Sequence, residues 1–289
     1  MGVSAMGTMA HSWVQMFPTE LDAFRAYAKV YPDSSTFLVD TYNVVKSGVP
    51  NAITVFKELR EKGHKGGGIR IDSGDITYLS KKARKMLDDA GLDDVKIVAS
   101  NSLDEYIIRD LLIQGAKIDT FGVGERLVTS KSEPVFGGVY KLSAIEENGE
   151  LVPRIKISEN VGKITNPAHK AVWRLFDNET GKAIADVITL ADEIIDDSKP
   201  YVIFDPIQTF KKKTVRNFTA KKLQEQIFRN GECIYPDYTA DELKKYCEAQ
   251  LETIWDEVKR FENPHEYYVD LSQKLYDIKH SMLDKYFDN

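Results

Sequence analysis

The chain has 289 residues, of which 42% are hydrophobic and 29% charged, a composition typical of a globular protein with a substantial core. Its formal net charge of −6 argues against general binding to nucleic acids or anionic membranes, which needs clustered lysine and arginine. We find neither an apolar stretch of the roughly 18 residues that a spanning helix requires nor a secretory leader. We therefore expect a cytoplasmic protein with no nucleic-acid or membrane partner.

The first part of the chain alternates apolar runs with segments of helical periodicity. This alternation predicts parallel strands with right-handed helical crossovers, and hence an α/β fold containing a partial parallel βα barrel over residues 1–133. The strand-bearing runs are TFLVDTYN (36–43), GGIRIDSGD (67–75), VKIVASNS (95–102) and IDTFGVGE (118–125). The helical patterns cover residues 52–62, 79–90 and 103–114.

The pattern changes after about residue 133. Short runs at 137–142, 153–157 and 171–176 predict strands joined by turns at Asn148-Gly149 and at 178–181. Residues 134–239 are therefore predicted to form a smaller, mostly antiparallel β region with connecting segments. Residues 240–289 show apolar stripes typical of helices and are predicted to form a C-terminal helical region. These stripes are Leu243, Cys247, Leu251 and Trp255, and then Leu271, Leu275, Ile278 and Met282.

Polar side chains follow each predicted parallel strand, and the carboxyl ends of such strands meet at one edge of a sheet. The string Arg70-Ile71-Asp72-Ser73-Gly74-Asp75 places carboxylates and a hydroxyl around a glycine turn. This arrangement suits the hydroxyls of a ribose or a magnesium ion held by phosphates. Arg70 shares a strand face with Asp72 and offers a fork to a carboxylate or phosphate. The alternative is an Asx-type turn that caps the next helix.

Two further strings at the predicted edge are small and polar. The Gly122-Val123-Gly124 turn lets the backbone approach a phosphate, although a plain tight turn is the more common explanation of a lone GxG. Ser100, Asn101 and Ser102 add hydrogen-bonding groups. Their alternative is a capping box, with Ser102 as the N-cap and Glu105 three residues later.

Two more residues are candidates for catalysis. Asp40 ends the first strand and could orient a histidine or bind a ribose hydroxyl; a turn aspartate is the alternative. His11 lies among small residues, where its ring nitrogens are accessible as nucleophiles, although a structural role is the more common one for an isolated histidine.

Several of these strings together resemble the nicotinate phosphoribosyltransferase family in order and spacing, from about residue 7 to the end of the chain. The strings are GTMAHS (7–12), RIDSGD (70–75), ASNSLDE (99–105), FGVG followed by LVTS (121–130), GGVYKL (137–142) and FENPHEYYVDLSQKLYDIKHSML (261–283). The resemblance implies an ATP-dependent, ligase-type enzyme of NAD biosynthesis. This type II phosphoribosyltransferase joins nicotinate to 5-phosphoribosyl pyrophosphate, forming nicotinate mononucleotide and pyrophosphate with coupled ATP hydrolysis. It also implies a cytoplasmic homodimer.

The resemblance further implies that His11 is the position phosphorylated by ATP and that Thr8 and Arg70 contact nicotinate. By its position, Asp40 is assigned to orienting His11. Mg²⁺ would neutralise the leaving pyrophosphate, and its protein ligands are left unassigned. The remaining residues fall by position on the ribose side or the phosphate side of the site. These are Asp72 and Ser73 for ribose, and Ser100, Asn101, Ser102, Gly122 and Gly124 for phosphate.

The chain departs from the family pattern in two places. Glu125 stands where threonine usually follows GVG, and the N-terminal domain that precedes GTMAHS in the family is not found before residue 7. Two alternatives therefore stay open. One is a related phosphoribosyltransferase that uses nicotinamide or quinolinate, and the other is a catalytically incomplete fragment that acts only in assembly.

Overall fold

A computed structural model describes residues 7–135 and 137–287. The described residues form two compact units, one ending at Gly137 and the other beginning at Gly138. We call them the N-terminal unit and the C-terminal unit. None of the helices in these ranges combines the length and the hydropathy needed to cross a bilayer.

The N-terminal unit is built on a parallel four-stranded sheet whose spatial order follows the chain order. Its strands are β1 (Thr36–Leu38), β2 (Gly68–Ile71), β3 (Lys96–Ala99) and β4 (Thr120–Phe121). In register, Leu38 lies beside Arg70, Arg70 beside Val98, and Val98 beside Thr120. The predicted parallel α/β sheet is confirmed, whereas its membership of a barrel stays a prediction.

Helices follow the strands as the sequence predicts. Those of the N-terminal unit are α1 (His11–Gln15), α2 (Glu20–Val30), α3 (Val49–Glu61), α4 (Ile76–Asp89), α5 (Glu105–Ile113) and α6 (Glu125–Val128). The predicted helices at 52–62, 79–90 and 103–114 correspond to α3, α4 and α5. A buried cluster from α2, β1 and α3 fixes β1, because Phe37 has its ring centroid 4.9 Å from Phe24 and 4.8 Å from Phe56.

The predicted capping box at Ser102 is wrong. The N-cap of α5 is Asp104, whose carboxylate accepts the backbone N–H of Ile107 at 2.9 Å. Ser102 has a left-handed backbone with a φ of 48°, which is incompatible with the extended N-cap conformation. For Asp75 the alternative of a helix-capping turn is confirmed. Asp75 is the N-cap of α4, and its carboxylate accepts the backbone N–H of Tyr78.

The C-terminal unit contains a four-stranded mixed sheet, whose strands lie in the order 218–222, 170–177, 183–190 and 269–271, and three two-stranded antiparallel pairs. The predicted strand at 171–176 and the turns at 148–149 and 178–181 are confirmed. The strands are β5 (Ala144–Glu147), β6 (Glu150–Pro153), β7 (Lys170–Asp177), β8 (Ala183–Leu190), β9 (Tyr201–Phe204), β10 (Lys212–Val215), β11 (Phe218–Lys222), β12 (Phe228–Arg229), β13 (Glu232–Cys233) and β14 (Val269–Leu271). The helices are α7 (Ala240–Glu252) and α8 (Gln273–Phe287).

Three expectations for this unit need correction. Residues 137–142 are exposed and irregular, because their paired glycines are poor strand formers and no strand of the described residues pairs with them. The strand expected at 153–157 ends at Pro153. The predicted helix that includes Leu271 begins too early. Leu271 lies in β14, which pairs parallel to β8, and α8 begins at Gln273.

Candidate active site

The carboxyl ends of the first three strands of the N-terminal unit carry the predicted polar residues. The ladder continues one residue past each strand end. The N–H of Val39 donates to Arg70 O at 3.1 Å, and the N–H of Ser100 donates to Ile71 O at 3.0 Å. Asp40, Asp72 and Ser100 therefore emerge from neighbouring strands at one edge, as the pattern predicts.

Arg70, Asp72 and Ser100 form a closed hydrogen-bonded triangle. Arg70 donates from Nη2 to Asp72 Oδ1 at 3.0 Å and from Nε to Ser100 Oγ at 2.8 Å. Ser100 Oγ donates in turn to Asp72 Oδ1 at 2.5 Å. Burial raises the pKa of Asp72, but the hydrogen bonds from Ser100 and Arg70 outweigh it, so that the pKa is lowered overall. Asp72 is therefore a carboxylate at neutral pH, with Oδ1 occupied and Oδ2 turned away from the triangle.

Asp40 uses its two carboxylate oxygens differently. Oδ2 accepts the backbone N–H of Asp72 at 2.9 Å and the hydroxyl of Ser73 at 2.6 Å, which fastens the end of β1 to the turn after β2. Oδ1 is buried and has no hydrogen-bond partner in the described part of the chain, and the side chain is only 2% exposed. A buried oxygen without a partner is uncommon and needs an explanation.

His11 lies at the start of α1 with its ring at the same edge. Its Nε2 is 3.8 Å from Asp40 Oδ1 and 3.7 Å from Asp72 Oδ2, and the side chain is 40% exposed. Its Nδ1 is 3.0 Å from Thr41 Oγ1. The ring thus faces two carboxylates on one side, beyond hydrogen-bond distance, while it stays accessible to a ligand. Such an imidazole can accept a phosphoryl group.

The predicted phosphate-side residues divide into two groups. Gly122 is beside the triangle, because its N–H donates to Ala99 O at 2.8 Å and a Cβ at this position would lie 3.4 Å from Ser100 Cβ. Asn101 and Ser102 are exposed and follow Ser100 with positive φ angles of 97° and 48°, a strained backbone of the kind found at functional sites. Gly124 immediately precedes α6, and a Cβ there would meet nothing within 4 Å.

Thr8 makes no hydrogen bond to the triangle of Arg70, Asp72 and Ser100 in the described parts of the chain, although the carbonyl oxygen of the next residue, Met9, lies 3.5 Å from Arg70 Nη1. The Thr8 hydroxyl donates to the carbonyl oxygen of Thr36 at 2.6 Å, and Thr36 is the first residue of β1. Thr8 therefore lies at the amino end of the strand whose carboxyl end leads to Asp40. Its contact with nicotinate stays a prediction.

Sequence reasoning missed two groups at this edge. Thr41, directly after Asp40, contacts His11, and its position next to a candidate catalytic aspartate was the available signal. Arg126 of α6 forms an ion pair with Asp104, the N-cap of α5, and so ties the turn after β4 to the start of α5. Nothing in the local sequence pattern pairs these two residues. No cluster of three or more metal-ligating side chains occurs within residues 7–135 and 137–287.

The fold and this cluster define an α/β protein with a candidate ligand site at the carboxyl edge of a parallel sheet. Residues 169–279 match the family model of the nicotinate phosphoribosyltransferase C-terminal domain. The chain is 46% identical over 277 residues to the nicotinate phosphoribosyltransferase of Bacillus subtilis (strain 168), covering 96% of this chain and 56% of that protein. The Homo sapiens enzyme of the same name is 32% identical over 272 residues, covering 92% of this chain and 50% of the relative.

Comparison with solved structures gives the same family as the comparison of sequences. The crystal structure of human nicotinic acid phosphoribosyltransferase matches with a TM-score of 0.76 and 26% identity, over 98% of this chain and 62% of that one. Nicotinate-nucleotide pyrophosphorylase from Pyrococcus furiosus shares the fold, with a TM-score of 0.53 and 21% identity over 88% of this chain and 56% of that one. The resemblance to the nicotinate phosphoribosyltransferase family is thereby confirmed. The chain spans about half the length of the curated relatives it matches.

Proposed function

We propose that the protein is a nicotinate phosphoribosyltransferase, which joins nicotinate to 5-phosphoribosyl pyrophosphate and releases pyrophosphate in NAD biosynthesis. The observation that carries this proposal is the placement of His11 beside Asp40 and Asp72, with Arg70 bonded to the second of these carboxylates. The names of the similar proteins support it.

The carboxylates suit the sugar of the substrate. Breaking the bond between ribose and pyrophosphate develops positive charge on the ring, which a fixed carboxylate stabilises. Asp72 is held ionised, and its Oδ2 makes no contact within the triangle. We assign Asp72 and Ser73 to the ribose, and Ser100, Asn101, Ser102, Gly122 and Gly124 to the phosphates.

Arg70 suits the carboxylate of nicotinate. Its Nε and Nη2 are held by Ser100 and Asp72, whereas Nη1 makes only a 3.5 Å contact with the carbonyl oxygen of Met9. The guanidinium is therefore fixed in position with one weakly bonded nitrogen available to an anionic ligand. We assign Arg70, together with Thr8, to nicotinate. Nicotinamide lacks this negative charge, so the arginine favours the acid over the amide.

His11 suits transfer of a phosphoryl group from ATP. In this step an imidazole nitrogen bonds to the γ-phosphorus, the bond between that phosphorus and the β-γ bridging oxygen breaks, and ADP leaves. The exposed edge of the ring gives a nucleotide access, and Asp40 orients the ring. ATP is thus a co-substrate under this proposal.

Mg²⁺ fits the donor atoms at this edge. Magnesium in phosphate-transfer sites is held by one or two carboxylates together with substrate phosphates. Asp40 Oδ1, which is buried and has no hydrogen-bond partner among the described residues, and Asp72 Oδ2 are carboxylate oxygens of this kind, 3.8 and 3.7 Å from His11 Nε2. When bound with the substrate, the ion supplies positive charge that neutralises the leaving pyrophosphate.

Labelling with γ-³²P ATP, read by gel and by mass spectrometry, tests the His11 step. We expect the chain to incorporate acid-labile phosphate, His11→Asn to lose it, and His64→Asn to keep it. His64 is a matched control because it is also a histidine of the N-terminal unit with an aspartate partner, Asp33, at 2.8 Å. Label that survives in His11→Asn, or that disappears in both variants, contradicts the assignment.

Measuring mononucleotide formation tests the assignment of Arg70 to the carboxylate of nicotinate. Mononucleotide yield from nicotinate and from nicotinamide is compared in the wild type and in Arg70→Lys, which keeps the charge but loses the Nη1 donor. We expect use of nicotinate to fall in the variant, by on the order of tenfold, because a hydrogen bond to a charged group contributes about 1.5 to 3 kcal/mol. An unchanged preference between the two substrates would assign specificity to other residues.

We further propose that the protein is a cytoplasmic homodimer. Sedimentation of the chain at micromolar concentration as a species of monomer mass would contradict the homodimer.

A further inference from the structure

We propose that a cavity in the C-terminal unit binds a small organic cation, whose primary ammonium group is held by the carboxylates of Asp270 and Asp205. The cavity has a volume of about 210 Å³, and both aspartates line it. It includes no residue of the candidate active site, so the inference does not depend on the proposed function.

Asp270 is a buried carboxylate on the apolar face of a sheet. It lies in register with Val187 of β8, and residues paired in this way carry their side chains on the same face. Val187 belongs to a buried cluster that includes Leu175 and Ile203. Asp270 is itself only 4% exposed, and its carboxyl group has neither a hydrogen bond nor an ion pair within residues 7–135 and 137–287. A buried polar group without a partner is costly, and here it faces a cavity.

Asp205 supplies a second carboxylate to the same cavity. Its Oδ1 accepts the backbone N–H of Ile207 at 2.7 Å and that of Gln208 at 2.9 Å, whereas Oδ2 makes no hydrogen bond in the described part of the chain. The N–H groups of Gln208 and Ile207 lower the pKa of Asp205, which is therefore ionised at neutral pH. Burial and then the charge of Asp205 raise the pKa of Asp270 to about 6, so the two carboxylates are close enough to repel each other. A single cation would satisfy both.

Three successive lysines also line the cavity, and all three are exposed: Lys211, Lys212 and Lys213. None of them forms an ion pair with Asp270 or Asp205 in the ranges that the structure describes. Long exposed lysine side chains keep their ammonium groups in water while their stems cover apolar surface. The buried end of the cavity is therefore acidic, with a carboxylate that no group of this chain neutralises.

The size and walls of the cavity favour an organic cation over a metal ion. Its volume exceeds the roughly 150 Å³ of a cavity that accommodates benzene. The apolar wall is formed by Ile203 and Phe204, with Tyr268 beside them. No group of three or more metal-ligating side chains occurs in the described ranges. A primary ammonium offers three donors to the carboxylate oxygens, and its carbon chain would contact the apolar wall.

Isothermal titration calorimetry on the full chain at pH 8 tests the proposal. The probe is n-butylammonium chloride, and 1-butanol is the neutral molecule of the same shape. At this pH both aspartates are ionised, and the amine is charged as a lysine is. We expect the wild type to bind the ammonium and not the alcohol. Asp270→Asn should weaken binding by about tenfold or more, because it removes a charged acceptor.

Two more variants separate the site from general charge effects. Asp205→Asn keeps an oxygen for the turn that Oδ1 caps and loses the charge, so it should weaken binding as Asp270→Asn does. Asp192→Asn is the matched control, because it neutralises an exposed aspartate of the same unit. We expect it to keep the wild-type affinity. The proposal is overturned if the wild type binds no butylammonium at millimolar concentration, if the alcohol binds equally well, or if Asp270→Asn binds as the wild type does.

Further titrations distinguish the occupants. Binding of Mg²⁺ or Ca²⁺ that Asp270→Asn abolishes, without binding of the amine, would make this a metal site and overturn the proposal. Amine binding that appears only after the three lysines are replaced by methionine would assign the cavity to a lysine of this chain, which also overturns it. 4-Aminobutanoate carries the same ammonium with a carboxylate. If it binds more tightly than butylammonium, the ligand is of the amino-acid type held also by the lysines; if it binds more weakly, the ligand is a simple amine.

Discussion

Replacing Asp270 by asparagine should stabilise the C-terminal unit, and by more as the pH rises. Asp270 is the middle residue of β14 and only 4% exposed. Its carboxyl group makes no hydrogen bond or ion pair in the described parts of the chain. Burial raises the pKa of this group, and the neighbouring Asp205 raises it further, from 3.8 to about 6. At neutral pH the folded protein therefore holds a buried carboxylate without a partner.

The size of the effect follows from the two pKa values. A shift from 3.8 to about 6 corresponds to about 3 kcal/mol of stability. Between these values the folded state binds the proton more tightly than the unfolded state, so the free energy of unfolding falls as the pH rises. The contribution of Asp270 is fully present below about pH 3.8 and is lost once the pH has passed about 6. Roughly half of the loss falls between pH 5 and pH 8.

Urea unfolding at pH 5, 6, 7 and 8, followed by far-UV circular dichroism, measures this directly. The difference in unfolding free energy between Asp270→Asn and the wild type should grow by about 1.5 kcal/mol from pH 5 to pH 8. Taking this difference removes the titration of all other groups and any constant offset from the amide. Asp192→Asn, an exposed aspartate of the same unit, is the control and should give a flat difference. A flat or falling difference for Asp270→Asn would refute the argument.

Three core changes give further predictions, each measured by urea unfolding. Phe37→Ala should cost about 3 to 5 kcal/mol, because it removes a ring packed between two others; a cost below 1 kcal/mol would contradict this. Asp186→Ala should cost about 3 kcal/mol by leaving the partly buried Arg174 without its carboxylate partner, and Asp186→Asn should cost less. Gly48→Ala should cost about 2 to 3 kcal/mol, since its Cβ would lie 1.9 Å from Val39 O; wild-type stability would show that the turn relaxes.

The parallel sheet and most of the site edge were predictable because their signals are local. Each apolar run delivers a polar string at its end, and the observed register, with Leu38 beside Arg70 and Arg70 beside Val98, brings those ends to one edge. Helix ends were less certain, since Ser102 and Asp104 are both good N-caps by type. Only the backbone angle at Ser102 separates them.

Long-range contacts explain what the sequence could not show. Val269-Asp270-Leu271 becomes a strand because it pairs with β8, more than 80 residues earlier, although the stripe beginning at Leu271 has helical spacing. Residues 137–142 show the opposite case, since Val139, Tyr140 and Leu142 are strand-forming types but the segment stays irregular where two glycines precede them and no strand of the described residues pairs with it. Propensity is a weak guide when the decisive term is a partner from a distant part of the chain.

Two aspartates with buried carboxylate groups, Asp186 and Asp40, differ in how many of their oxygens have hydrogen-bond partners. This difference distinguishes a structural ion pair from a candidate ligand site. In the C-terminal unit Asp186 accepts two N–H groups of Arg174 and the hydroxyl of Tyr267, so both of its oxygens are used inside the fold. Asp40 uses Oδ2 in the same way but leaves Oδ1 buried and unpaired beside His11. An unpaired buried oxygen costs about 1 to 3 kcal/mol, which a donor placed nearby would remove. That cost is understandable if a hydrogen-bond donor or a cation of a bound ligand satisfies Asp40 Oδ1. The stability lost at Asp40 therefore favours a ligand site at this edge over a purely structural network.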